Sequence, residues 1–76
     1  MAVEYNQLYN ILRIGFPDDE IILVDTAGDS NHYEVTIISD KFKNLPLIAQ
    51  HRMVNDVVKH QIGHDLHALQ IHTKSK

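Results

Sequence analysis

The stretch QHRMVNDVVKHQIGHDLHAL, from Gln50 to Leu69, decides the fold. Val54, Val57, Val58 and Ile62 recur at helical spacing, and Gly63 ends the run as a glycine does at a helix C-terminus. The period then changes. From Leu66 to Thr73 the chain alternates, with His67, Leu69 and Ile71 on one face and Leu66, Ala68, Gln70 and His72 on the other. A period of 3.6 followed by a period of 2 describes a helix that delivers the chain into a strand. The stretch also holds His51, His60, His64 and His67, four of the six histidines.

Working upstream, Leu45-Pro46-Leu47-Ile48 starts this helical region, with Asn44 or Leu45 near the cap and Pro46 in the first turn. A break near Gln50-His51 would divide it into a short helix and a longer one. Ser39 to Asn44 is a polar connector in which Phe42 reads as a core plug. Before it, residues 32–38 alternate, with Tyr33, Val35 and Ile37 on one face and Glu34 and Thr36 on the other. Thr26 to Asn31 is a run of turn formers, and Glu20-Ile21-Ile22-Leu23-Val24-Asp25 is β-branched and short. These two strands form an antiparallel hairpin. Residues 3–15 read as a helix carrying Tyr5, Leu8, Ile11 and Leu12 on one side, with Gly15 and Pro17 stopping it. Lys74-Ser75-Lys76 reads as a frayed tail.

The order is helix, strand, strand, helix (one or two), strand. In one small domain this predicts an α+β fold, α-β-β-α-α-β, with a three-stranded sheet covered on one face by helices. If the last strand pairs parallel to its neighbour, the intervening helix is a crossover connection.

The 76 residues suffice for one domain, taken as residues 1–76, with a small core. The chain has no cysteine, so a disulfide staple and a thiolate ligand are excluded, and any metal it bound alone would rest on histidine and carboxylate. No apolar run reaches the roughly 20 residues of a membrane span, and no basic-then-apolar leader is visible, which leaves the cytoplasm as the expected location. The net charge of −3 is uneven. Residues 1–39 hold seven acids and one base (−6), whereas residues 40–76 hold six bases and three acids (+3), an asymmetry that suits either an anionic partner or a plain solvated surface. The pI near 6.0 speaks against a dedicated nucleic-acid binder.

No phosphate loop, dinucleotide fingerprint, zincin motif or nucleophile elbow occurs, so no enzyme is expected. His60 and His64 stand four apart, but Gly63 between them ends the helix and favours two solvated histidines over a metal pair. His51 and Arg52 are either a packing pair or a contact for an anionic partner. His67, opening a strand after a turn, is either a structural hydrogen-bonding residue or a ligand at the sheet rim. One imidazole cannot hold zinc or iron alone, so the second role demands a partner that brings the remaining ligands.

Four pieces of this sequence resemble the BolA family. They are His32-Tyr33-Glu34-Val35, Ser39-Asp40-Lys41-Phe42, Gln50-His51-Arg52-Met53-Val54 and Leu66-His67-Ala68-Leu69, in the family's order and over nearly the whole chain. The resemblance implies a class II KH-like α-β-β-α-α-β fold. It also implies pairing with a monothiol glutaredoxin and a shared 2Fe–2S cluster, for which the partner brings a cysteine and a glutathione thiolate. His67 matches the family's histidine ligand. Many members carry a second His or Cys in the loop after the first strand; here Thr26 to Asn31 has neither, and His32 is the nearest candidate. The expected role is an adaptor in iron–sulfur cluster maturation or iron homeostasis. The alternative is a DNA-binding transcription regulator using His51, Arg52 and Lys59, although the chain lacks the G-x-x-G loop of KH domains. Self-association stays open.

Overall fold

The computed structural model describes residues 4–26, 32–63 and 69–76. Helix α1 (Tyr5–Gly15) leads into β1 (Glu20–Asp25) and β2 (Tyr33–Ser39); a 3-10 turn (Asp40–Phe42) precedes helix α2 (Leu47–Ile62), and β3 (Leu69–Ser75) follows. The sheet order is β1-β2-β3. β1 and β2 are antiparallel, with Leu23 opposite Val35, and β2 and β3 are parallel, with Val35 opposite Ile71. The sheet is therefore mixed, the turn and α2 form the crossover, and the α+β expectation holds. The element order is compatible with the class II KH-like arrangement.

Both strands of the hairpin alternate as their side chains require. Ile21, Leu23, Tyr33, Val35 and Ile37 are buried beneath the helices, while Ile22 and Val24 face outward at 49% and 45% exposure. The helices close the core with Leu8, Ile11 and Leu12 from α1 and Val54 and Val58 from α2. Phe16 and Phe42 fill one end, their ring centroids 5.7 Å apart. Phe42, at 1% exposure, is the plug expected of it.

Three expectations are corrected in detail. First, α2 runs unbroken through Gln50 and His51. No glycine or proline lies between Leu47 and Ile62, and the Gln50 side chain ties the first turns down by donating to the carbonyls of Leu45 (2.8 Å) and Phe42 (3.4 Å). Pro46 stands at the N-cap rather than in the first turn. Second, Gly15 is the last helical residue of α1 and has no positive φ; the cap is Phe16. Third, Lys74 and Ser75 are not a frayed tail but extend β3, opposite Ile38 and Ser39. The described part of β3 runs from Leu69, and the expected strand start at Leu66 lies outside the described residues. Gly63 does terminate α2, with a φ of 92° and its N–H donating to Lys59 O at 2.7 Å.

Candidate functional site

The parallel register places the starts of β2 and β3 side by side, Tyr33 opposite Leu69, with Asp25 of β1 on the other flank of Tyr33. His32 enters the sheet at this end. Its carbonyl accepts from the Thr26 N–H (2.9 Å) and the Thr26 hydroxyl (3.2 Å), so the backbone closing the hairpin loop is fixed while the His32 side chain is exposed. His67, the principal candidate, and His64 lie outside the described residues. In sequence His67 stands two positions ahead of Leu69, as His32 stands one ahead of Tyr33.

The other candidates are spread along α2. Arg52 and Lys59 are exposed and seven residues apart, close to one helical face, with a rise between them of roughly 10 Å. His51 is half-buried. Gln50, immediately before it, accepts a hydrogen bond from the Thr73 hydroxyl. Thr73 is opposite Ile37, near the end of β2, so His51 and Arg52 belong to the end of the sheet remote from His32. His60 is exposed and, with Ile14, Gly15 and Val57, lines a shallow groove of about 350 Å³ between the two helices. The structure thus separates His32 from the His51-Arg52 end. Among the described residues no group of three or more His, Asp or Glu side chains is arranged to hold a metal ion, and no helix is long and apolar enough to cross a membrane.

Several residues singled out by the sequence prove to secure the frame. Ser39 is fully buried and its hydroxyl oxygen accepts from the Lys41 N–H at 3.0 Å, capping the 3-10 turn. The Lys41 ammonium then reaches Asp19 at 3.1 Å and sits 5.1 Å from the Phe16 ring centre. Burial works against the Asp19 carboxylate, but hydrogen bonds from Ser39 and Lys41, together with the Lys41 charge, hold its pKa below the ordinary 3.8. The Ser39-to-Phe42 piece is accounted for by this cluster. Arg13, the only base of the first half, donates to the carbonyls of Phe16, Pro17 and Asp19 and so fixes the exit from α1. Gln50 is the participant that sequence reasoning missed; its link to Thr73 spans 23 positions and no local pattern announces it.

A three-stranded mixed sheet with two helices on one face defines a small α+β domain. The chain belongs to the BolA family: the family model described as BolA-like protein matches residues 20–76. It is similar to a protein of Rickettsia prowazekii, 35% identical over 75 residues, covering 99% of this chain and 97% of that one. The NMR structure of that BolA-like hypothetical protein superposes with a TM-score of 0.78 over 100% of this chain and 99% of the other, at 34% identity. It is also 39% identical over 46 residues, 60% of this chain, to the DNA-binding transcriptional regulator BolA of Vibrio cholerae, of which it covers 43%. The BolA domain of SufE1 from Arabidopsis thaliana has the same fold, with a TM-score of 0.72 at 23% identity over 97% of this chain and 95% of that one. The chain therefore spans almost all of the Rickettsia relative but less than half of the Vibrio one.

Proposed function

We propose that this chain is an adaptor, not an enzyme, that pairs with a monothiol glutaredoxin and shares a 2Fe–2S cluster with it. His67 supplies the imidazole ligand, with His32 as candidate second ligand, and the glutaredoxin cysteine and glutathione supply sulfur. The observation that carries this reading is the parallel pairing of Tyr33 with Leu69: in the sequence His32 comes one position before the first of these residues and His67 two before the second. The donor set fits a shared group and not a resident one. The chain has no thiolate, and imidazole is a known replacement for thiolate on one iron of a 2Fe–2S cluster. Membership of the BolA family supports the same reading. Mixing with cluster-loaded glutaredoxin should give a heterodimer whose visible circular dichroism differs from that of the glutaredoxin alone. His67→Ala should abolish that difference and shorten the cluster lifetime; unchanged spectrum and lifetime would show that His67 is no ligand.

A second reading is binding of DNA. It is favoured by the similarity to the DNA-binding transcriptional regulator BolA of Vibrio cholerae and by exposed Arg52 and Lys59 on one side of α2. Loss of two phosphate contacts should weaken binding about equally for all sequences and flatten the salt dependence by roughly two units of slope. A gel shift on wild type and on the Arg52→Ala, Lys59→Ala double variant tests it, and no shift of the wild type at low salt ends it.

A further inference from the structure

The sheet face turned away from the helices has a self-complementary charge layout. The registers place Glu20 in line with Ile38 and Lys74, and Ile22 in line with Thr36 and His72. Cross-strand partners share a face. This is the outer face, because Ile21 and Ile37 on the alternate positions are buried and Thr73 bonds to Gln50 of α2. Acid and exposed aliphatic side chains therefore lie along β1, and basic ones along β3.

We propose that this face docks on the same face of a second copy of the chain, about a two-fold axis lying along β2. Such an axis exchanges left and right while keeping height along the strands. It sets β1 of one copy over β3 of the other, so that Glu20 meets the second copy's Lys74, and Lys74 the second copy's Glu20. Ile22, 49% exposed, covers the second copy's His72, and Ile38 meets Ile38. Glu34 falls opposite its own counterpart, but its carboxylate already lies 3.2 Å from His72 of the same chain.

Edge-to-edge pairing fits less well. On β1 the Tyr5 hydroxyl already donates to the Leu23 carbonyl at 2.8 Å, so an edge-strand acceptor there is taken. The contact area sets the strength. Six residues by three strands is roughly 20 by 15 Å, which buries roughly 600 Å² in all, below the ~1,000 Å² of a stable interface. The dimer is therefore weak and reversible, and it does not depend on the cluster role.

Sedimentation equilibrium on the full chain tests this up to about 1 mM, the range in which so small an interface would populate. The mean mass should climb from one chain toward two, less steeply in high salt. Glu20→Lys or Lys74→Glu alone turns two attractions into two repulsions and should weaken association by ~10-fold. An equal mixture of the two variants restores opposite charges at both contacts and should associate as well as the wild type. A mass fixed at one chain overturns the proposal. So does association that ignores either single swap, or a mixture no better than its components. If circular dichroism shows either variant unfolded, the neutral pair Glu20→Gln and Lys74→Gln serves instead. Each should then weaken association by ~3-fold, and no weakening overturns the proposal.

Discussion

A carbon placed on Gly15 would lie 2.5 and 2.8 Å from the two γ-carbons of Val57 and 3.2 Å from its β-carbon. Valine has one strongly preferred rotamer in a helix and cannot swing aside, so α1 and α2 can approach this closely only at a glycine. Gly15→Ala would ordinarily gain about 0.5–1 kcal/mol as a helix substitution. Here it should instead destabilise by about 1–3 kcal/mol through overpacking. Urea unfolding of Gly15→Ala, and of Gly15→Ala with Val57→Ala, checks this, because only a steric cause is relieved by the second change. From sequence, Gly15 before Phe16-Pro17 looks like a stop signal; its true constraint comes from a residue 42 positions away. Asp19 gives a pH-dependent case. Its folded pKa is depressed, so its contribution is present above the unfolded value of 3.8 and is lost as pH falls below that value through the folded pKa. Asp19→Asn should flatten the acid side of the stability profile below pH 4 and leave its shape near neutrality unchanged, as thermal melts across pH 2–7 would show.

At the scale of elements, the alternation in β2 and the period in α2 were legible because buried and wet positions differ there in residue type, whereas β1 was legible only as a short β-branched run, since the outward-facing Ile22 and Val24 are as apolar as the buried Ile21 and Leu23. The ends were less legible. β3 extends to Ser75 because Lys74 and Ser75 pair with Ile38 and Ser39, and a strand edge made by its neighbour leaves no mark in its own composition. The unbroken start of α2 likewise depends on Gln50, whose amide serves three groups at once: the carbonyls of Leu45 and Phe42 and the hydroxyl of Thr73. Gln50→Ala leaves these partly buried groups to water or unpaired. It should cost about 1–3 kcal/mol. Hydrogen exchange should show the loss concentrated in the first turn of α2 and the last residues of β3; uniform loss of protection would mean that Gln50 does not link those two elements. The candidate histidines were legible only as residue types. Whether the starts of two strands lie side by side depends on which strands pair and in what register, and the parallel β2–β3 pairing, with Tyr33 beside Leu69, leaves no mark in the local sequence.

For the whole molecule, the family match begins at Glu20 and leaves α1 outside, yet α1 and the residue after it bring Leu8, Ile11, Leu12 and Phe16 to a core that has twelve buried apolar residues among the described ones. Each such side chain contributes about 1.5–3 kcal/mol by burial, so the four together contribute roughly 6–12 kcal/mol. A chain of this length has only about 4–11 kcal/mol of net stability, at 0.05–0.15 kcal/mol per residue. Removing residues 1–19 also uncovers Leu23, Val35 and Ile37 on the sheet and removes Asp19, the partner of Lys41. The fragment 20–76 should therefore lack a cooperative thermal transition and show collapsed amide dispersion by NMR, although it contains every residue that the family model recognises. Adding a peptide of residues 1–19 in excess should recover part of the dispersion, because the missing apolar surface, rather than the covalent link, is the cause. A fragment that melts cooperatively by itself would place the stabilising contacts in the hairpin and crossover alone. In that case the covering of the sheet by α1 would be needed for something other than folding.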